Sequence, residues 1–141
     1  MSEHPNAQLM RDVYAAFTVG DVQRAASYWT PDCIHHYPGR SPLAGSHEGI
    51  ESALAFAGRM FELTHGGIEM EILDIGASDA YSYALVRTVY RLGERVLEMP
   101  FVNVSRIVDG KIAEFWTYPD DQNSIDEFWE YAIAANAAYA N

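Results

Sequence analysis

Apolar residues follow two different periods along this chain. In the N-terminal half they recur every three or four positions, which predicts amphipathic helices. From Ile68 onward they alternate with polar residues, which predicts β-strands. The first helical stretch ends at Gly20, and Asp21 is placed to cap a second, shorter helix. A third helix is predicted from about His47 to Leu63.

Shorter signals predict the remaining elements. Thr30-Pro31-Asp32 is typical of a turn, and Cys33–Tyr37 is predicted to be a short strand. Ser124-Ile-Asp-Glu127 has the spacing of a capping box and predicts a last helix. The alternating region predicts strands near Ile68–Ile75, Tyr81–Arg91, Arg95–Val108 and Lys111–Tyr118.

Asp109-Gly110 sets the register of the last two predicted strands. This dipeptide suits a type I′ turn, in which both central residues need positive φ. The turn would pair Val108 with Lys111, Ile107 with Ile112, Ser105 with Glu114, Asn103 with Trp116 and Phe101 with Tyr118. Alternation then gives one face Met99, Phe101, Asn103, Ser105, Ile107, Ile112, Glu114, Trp116 and Tyr118. The other face receives Val102, Val104, Ala113, Phe115 and Thr117.

The two faces of this hairpin predict two different roles. The first combines aromatic bulk with uncharged polar groups, as the wall of a binding pocket does. The second is too apolar to be left in water, so Val102, Val104 and Phe115 predict a homodimer through the convex face of the sheet. Together the elements predict an α+β fold for a single domain spanning residues 1–141. In this cone-shaped fold, N-terminal helices would pack against a strongly curved, mostly antiparallel sheet and enclose a pocket.

Composition narrows the classes of partner. Nine Lys and Arg against twenty Asp and Glu give a net charge of −11, which argues against binding to nucleic acid or to an anionic membrane. Cys33 is the only cysteine, so neither a disulfide framework nor a cysteine-based zinc site is expected. No apolar run has the length of a membrane span, and the N-terminus has no signal-peptide pattern. A cytoplasmic location is therefore expected.

Several short motifs together resemble one known superfamily. They are Val19-Gly20-Asp21 after the first helix, the stretch Tyr28–Pro38, the stretch Leu43–Gly49 and the hairpin Val108–Trp116. In this order and spacing the chain resembles the nuclear transport factor 2-like superfamily, and within it the SnoaL-like (polyketide cyclase-like) proteins. The resemblance implies the cone-shaped fold and a cavity for a small hydrophobic metabolite. The superfamily contains isomerases, epoxide hydrolases, dehydratases, cyclases and binding proteins, so the fold does not imply one reaction.

The resemblance also allows the family's catalytic positions to be compared one by one. The general-base Asp of steroid isomerases corresponds to Tyr37, their second acid to Asn103, and their helix-1 Tyr to a position on or near Val13. The acid/base Asp of SnoaL-type cyclases corresponds to Tyr118. The Asp-Arg-Asp arrangement of epoxide hydrolases of this fold has no inward-facing counterpart. The chain keeps the scaffold and departs from each of these catalytic sets.

His35 is the first candidate for a catalytic residue. A regular strand places it on one face with Cys33 and Tyr37 and turns His36 outward, whereas a strand irregularity would exchange the two histidines. An inward His35 would be the group near the pocket that titrates around neutral pH, which suits a general acid or base. The alternative is a core histidine satisfied by a backbone carbonyl. No carboxylate accompanies the pair at ligand spacing, so no metal and no cofactor are predicted.

The other candidates each have a functional and a structural interpretation. Asn103 would hold a substrate carbonyl or enolate, or would fix the sheet by an internal hydrogen bond. Tyr14, Tyr37 and Tyr118 would add phenol donors, or would be core aromatics. The further predicted ligand contacts are Phe101, Trp116, Met60, Glu114 and Asp121. Glu114 is a base if buried and otherwise a solvated or arginine-paired carboxylate, and Asp121 reaches the cavity mouth or caps the last helix.

Two functions follow from these residues. The first is a cofactor-free acid/base enzyme of the cyclase, isomerase, dehydratase or hydrolase type, acting on a polyketide-, terpenoid- or aromatic-like compound. His35 would move the proton, while Asn103 and a tyrosine would hold the developing oxyanion. The second is a non-catalytic binding or dimerisation module with the same cavity. The missing acids at the familiar catalytic positions favour this second interpretation.

Overall fold

The computed structural model describes residues 3–140, apart from the side chains of residues 139 and 140. The elements are α1 (Pro5–Thr18), α2 (Val22–Ala26), β1 (Trp29–Tyr37), β2 (Gly45–Glu48), α3 (Ile50–Thr64), β3 (Ile68–Ala77), β4 (Tyr81–Leu92), β5 (Arg95–Val108), β6 (Lys111–Pro119) and α4 (Gln122–Ala140). The strands form one open sheet in the order β2-β1-β6-β5-β4-β3. Only β1 and β6 pair in parallel among these neighbours. The predicted α+β architecture, helices on a mostly antiparallel sheet, is confirmed.

Aspartate side chains cap the helices α2 and α4. The Asp21 carboxylate accepts the amide of Arg24 at the start of α2, as predicted. The last helix begins earlier than the capping box indicated, at Gln122. There Asp121 accepts both the amide of Ser124, at 3.2 Å, and its hydroxyl, at 2.8 Å. Ser124 thus lies inside the first turn rather than at the cap, because an earlier carboxylate satisfies the free N–H group.

The first strand and the third helix correct two further predictions. The predicted turn Thr30-Pro31-Asp32 lies within β1, whose pairing with β6 is irregular between Trp29 and Ile34. His47 belongs to the short edge strand β2, which the sequence analysis missed, and pairs with His35. The helix α3 starts only after Gly49. The φ of this glycine is 86°, which lets the chain turn between β2 and α3.

A β-bulge in β6 changes the register of the last hairpin. Asp109 and Gly110 have φ values of 50° and 75°, as the predicted turn requires, and Ile107 pairs with Ile112 as predicted. The next pair is Arg106 with Glu114, so Ala113 is the extra residue. Because side chains alternate, a slip of one residue exchanges the two faces of β6 beyond this point. Phe115 and Thr117 therefore face the helices, and Glu114, Trp116 and Tyr118 face outward.

Gly39 holds the loop after β1 against the last helix. Its φ is +109°, and a Cβ added there would lie 2.1 Å from Oδ1 of Asp126. That carboxylate is buried and accepts the amide of Arg40 at 3.1 Å and its guanidinium at 3.4 Å. The loop directly follows Tyr37, so this contact also fixes the end of the strand that carries the candidate site.

We expect Gly39→Ala to lower the free energy of unfolding by about 2 kcal/mol or more, since it combines backbone strain with a steric clash. Gly45→Ala is the matched control, because Gly45 has a φ of +127° but no atom within 4 Å of the added Cβ. Urea unfolding followed by tryptophan fluorescence measures both variants. Equal losses in the two would show that the contact with Asp126 adds nothing.

Candidate functional site

A narrow cavity lies between the helices and the inner face of the sheet. Its unfilled space, counted together with the open mouth, is about 560 Å³. The lining side chains are mostly aromatic: Tyr14, Phe17, Trp29, His35, Tyr37, Phe56, Ala57, Met60, Met70, Tyr90, Phe101, Asn103, Phe115 and Thr117. No Asp, Glu, Lys or Arg is among these lining residues. The space therefore suits a flat, uncharged molecule with apolar faces.

His35 reaches this cavity from β1. Its side chain is 7% exposed, and its ring lies 4.4 Å from the ring of Trp29 and 5.3 Å from that of Phe115, centre to centre. Nε2 is buried without a hydrogen-bond partner. The pKa of His35 is lowered to about 4, mainly by burial and to a smaller extent by the neighbouring His47 and His36. At neutral pH the imidazole is therefore uncharged, and Nε2 is free to interact with a ligand.

Asn103 and Tyr14 form a second polar pair in the cavity. The Asn103 side chain, 3% exposed on β5, donates from Nδ2 to the hydroxyl oxygen of Tyr14 on α1. Its carbonyl oxygen Oδ1 has no partner. Burial raises the pKa of Tyr14, so the phenol stays protonated. On α1, Tyr14 lines the cavity and is the neighbour of Val13, on or near which the family resemblance placed the helix-1 tyrosine.

The third polar group of the cavity consists of Tyr37 on β1, Tyr90 on β4 and Trp129 on α4. The indole Nε1 donates to the Tyr37 oxygen at 2.8 Å, and the two phenol oxygens lie 3.2 Å apart. Burial raises the pKa of Tyr37 to about 12. The hydrogen bond with Tyr90 and the one that Trp129 donates oppose that rise. Three phenols therefore converge on the cavity, but the third is Tyr90 rather than Tyr118.

Three predicted site residues lie outside the cavity because of the bulge at Ala113. Tyr118 is 54% exposed on the outer face. Trp116 stacks on the ring of His36 at 5.3 Å, and Glu114 accepts from Nε2 of His36 at 2.5 Å. Glu114 also pairs with Arg106 at 3.3 Å. It is therefore an arginine-paired surface carboxylate and not a buried base.

Asp121 also lies outside the cavity. Its carboxylate is exposed and is held by the hydroxyl and amide of Ser124, which lower its pKa. The predicted alternative, capping of the last helix, is what the structure shows. The predicted residues that line the cavity are His35, Asn103, Tyr37, Tyr14, Phe101 and Met60.

Sequence analysis missed several residues that line the cavity, above all Tyr90 and Thr117. On β4, Thr88 pairs with the inward-facing Met99, and Tyr90 lies two positions further along the strand. Residues two positions apart in a strand share a face, so extending the alternation from β5 to β4 would have predicted that Tyr90 points inward. No comparable signal marked Thr117, because its inward direction depends on the bulge. Among residues 3–140, no group of three His, Cys, Asp or Glu side chains has the arrangement of a metal site.

Comparison with known proteins identifies the family. The model of the SnoaL-like domain matches residues 10–115, which is most of the chain and contains both His35 and Asn103. The chain belongs to the SnoaL-like family. This SnoaL-like protein therefore shares the nuclear transport factor 2-like fold that the sequence motifs indicated.

Individual relatives extend over nearly the whole chain. An uncharacterized protein of Mycobacterium tuberculosis strain H37Rv is 23% identical over 92% of this chain and 99% of its own length. Bal32a, from a soil-derived mobile gene cassette, is 29% identical with a TM-score of 0.84, covering 89% of this chain and 96% of that one. IdmH of Streptomyces antibioticus, a proposed polyketide cyclase, is 20% identical with a TM-score of 0.71, covering 89% and 98%. The likeness to IdmH shows the fold alone.

None of the helices within residues 3–140 is both long and apolar enough to cross a lipid bilayer.

Proposed function

We propose that this SnoaL-like protein binds a small, flat, uncharged carbonyl compound and catalyses cofactor-free proton transfer at the carbon beside the carbonyl. The observation that carries the proposal is the pair of unpartnered polar atoms, His35 Nε2 and Asn103 Oδ1, in one otherwise aromatic cavity. Leaving a buried polar atom unpaired costs about 1–3 kcal/mol. A ligand that supplies the missing partners would recover that free energy. Cyclisation, isomerisation and dehydration of polyketide-like or aromatic ketones all include such a proton transfer.

His35 would act as the base in this reaction. Its neutral imidazole takes a proton from the carbon next to the carbonyl, so a C–H bond breaks and an N–H bond forms at His35. The electron pair moves into a carbon–carbon double bond, and negative charge develops on the carbonyl oxygen. Return of the proton from His35 to another carbon, or loss of a leaving group, completes the reaction without an oxidant or a metal.

Tyr14 would hold the developing oxyanion. Its oxygen accepts from the Asn103 amide, which leaves the phenol proton free for the substrate oxygen. A preorganised donor in a site that excludes water stabilises such a charge strongly. Asn103 contributes mainly by polarising Tyr14, and its free Oδ1 is available for a hydroxyl group of the ligand.

Deuterium exchange tests the proposal directly. Incubation of the protein with 1-tetralone in D₂O, followed by mass spectrometry, measures proton removal at the carbon beside the carbonyl. We expect exchange well above the rate in buffer. The alternative function is a binding module without catalysis, which the lack of any carboxylate in the cavity lining favours. Tight binding of 1-tetralone without accelerated exchange would select that alternative.

We also propose that the protein forms a homodimer through the outer face of its sheet. Val102 and Val104 lie on this face as predicted, but Phe115 does not, because the bulge turns it into the cavity. Trp116 and Tyr118 take its place on the outer face. The cross-strand rows Tyr83–Val104–Trp116 and Leu85–Val102–Tyr118 make an apolar strip, in which Val102 is 42% exposed. A second copy would bury this strip by two-fold symmetry.

Val102→Lys is expected to convert the dimer to a monomer at micromolar concentration, because each copy would bury an unpaired lysine charge in the apolar strip. Sedimentation velocity measures the change. Val19→Lys is the control, since Val19 is exposed at the end of α1 and away from the strip. A wild-type protein that sediments as a monomer would contradict the proposal.

A further inference from the structure

The group of Tyr37, Tyr90 and Trp129 carries three polar protons but makes only two hydrogen bonds within itself. All three side chains are buried, with the indole nitrogen 2.8 Å and the Tyr90 oxygen 3.2 Å from the Tyr37 oxygen. The group holds one N–H and two O–H protons. These two contacts use two of the three protons. No other group of the described chain accepts the third, although both phenols line the cavity.

The remaining proton belongs to Tyr37 when Tyr90 and Trp129 both donate to its oxygen. A phenol that accepts two hydrogen bonds becomes a stronger donor itself, because each bond polarises the next. The Tyr37 oxygen is the one that both neighbours reach, since the indole nitrogen lies 2.8 Å and the Tyr90 oxygen 3.2 Å from it. Tyr37 is thus the phenol best prepared to donate into the cavity.

This donor is separate from the pair described above. Tyr14 and Asn103 belong to α1 and β5, whereas Tyr37, Tyr90 and Trp129 belong to β1, β4 and α4, and no hydrogen bond joins the two groups. A ligand whose single oxygen is bound by Tyr14 would therefore leave Tyr37 without an acceptor. A ligand with a second oxygen would satisfy both.

We propose that Tyr37, oriented by Tyr90 and Trp129, forms a second oxygen-binding subsite, and that the ligand is a hydroxyketone or diketone with one oxygen at each group. The inference deepens the proposed function, on which it rests for the position of the first oxygen. Tyr90 and Trp129 are positioning residues in this arrangement, because they act through Tyr37. The matching ligand carries two acceptor oxygens on an apolar, flat frame.

Hydroxylated tetralones test the subsite. The dissociation constants of 1-tetralone and of its 5-, 6-, 7- and 8-hydroxy isomers are measured by quenching of tryptophan fluorescence. These compounds share one frame and one carbonyl and differ in the second oxygen. At least one isomer is expected to bind about five- to tenfold more tightly than 1-tetralone, the value of one additional hydrogen bond.

Substitutions in the cavity then show which residue causes the tighter binding of the hydroxy isomer. Tyr37→Phe and Tyr90→Phe should remove most of the gain from the added hydroxyl, which is measured in each variant as the ratio of its affinities for the hydroxy isomer and for 1-tetralone. Tyr14→Phe should weaken all the compounds alike. Tyr131→Phe is the control, since Tyr131 lies on the exposed side of α4 against Arg95. A purely structural role for Tyr90 would weaken 1-tetralone and its hydroxy isomers to the same extent.

Two results would overturn the subsite: no isomer that binds more tightly than 1-tetralone, or a gain that survives in Tyr37→Phe. Deuterium exchange keeps this outcome distinct from a failure of the proposed function. If 1-tetralone exchanges and no hydroxyl improves binding, the subsite is wrong and the proton-transfer function stands. If a hydroxytetralone binds through Tyr37 but no compound exchanges, the subsite stands and the catalytic proposal fails.

Discussion

His35→Gln is expected to lower the rate of deuterium exchange at C2 of 1-tetralone by about 10²- to 10⁴-fold, the contribution of a positioned general base. Glutamine keeps a polar side chain of similar reach but does not take up a proton. The ring contacts with Trp29 and Phe115 are lost in the variant, so its affinity for 1-tetralone is measured beside the rate. A loss in rate without a comparable loss in affinity assigns the proton transfer to His35.

The pH profile gives an independent measure of the same residue. Because the pKa of His35 is lowered to about 4, the base is already deprotonated at neutral pH. Exchange should therefore be independent of His35 ionisation between about pH 6 and 8 and should fall as the pH drops toward 4. A rate that instead fell through pH 6.5 would indicate a solvated histidine. His36→Gln is the matched control for the rate at neutral pH, since His36 points away from the cavity toward Ser46 and Glu114.

Tyr14→Phe is expected to reduce the exchange rate by about 10²- to 10³-fold, which is the effect of removing one oxyanion donor from a preorganised site. The substitution removes only the hydroxyl, so the aromatic ring still fills its place against the core. It also leaves the Asn103 amide without its phenol acceptor. Part of the loss thus comes from the altered position of Asn103.

Asn103→Asp separates these two contributions. An aspartic acid keeps the shape of the amide. Because burial raises the pKa of a carboxyl group, it would remain protonated here and could donate a hydrogen bond to Tyr14. We expect the Asp variant to retain far more activity than Asn103→Leu, which has no polar atom. Equal activity of the Tyr14→Phe variant and the wild-type protein would show that the oxyanion lies elsewhere in the cavity. The phenol of Tyr37 would then be the next candidate.

Local sequence patterns predicted the scaffold because most of its elements depend on local interactions. The alternation of apolar and polar residues from Ile68 onward predicted the strands β3 to β6 to within two residues at each end. The cap of α2 by Asp21 was also predicted correctly. The inward direction of His35 also followed from alternation, since the irregularity of β1 lies before Ile34 and leaves 35–37 regular. Each of these predictions needed only neighbouring residues.

The rest of the site could not be predicted in this way, because it depends on tertiary pairing. The register of β6 changes at Ala113. An alanine at this position does not indicate a bulge, whereas a glycine would have been a signal in the sequence. The short strand β2 forms only because it pairs with β1, and its own sequence has too few apolar residues to indicate a strand. Tyr90 became a site residue through contacts with Tyr37 and Trp129, which lie about 40 to 50 positions away in the chain.

The extra residue at Ala113 makes hairpin length, rather than side-chain identity, the property that assigns residues to the cavity or to the outer face of the sheet. Removal of that one residue would bring Trp116 and Tyr118 inside and turn Phe115 and Thr117 to the surface. A single-codon deletion would therefore change the cavity lining and the outer face of the sheet together, whereas a substitution changes one of them at a time. Alignments of this hairpin that ignore such a gap would compare the inner wall of one protein with the outer wall of another.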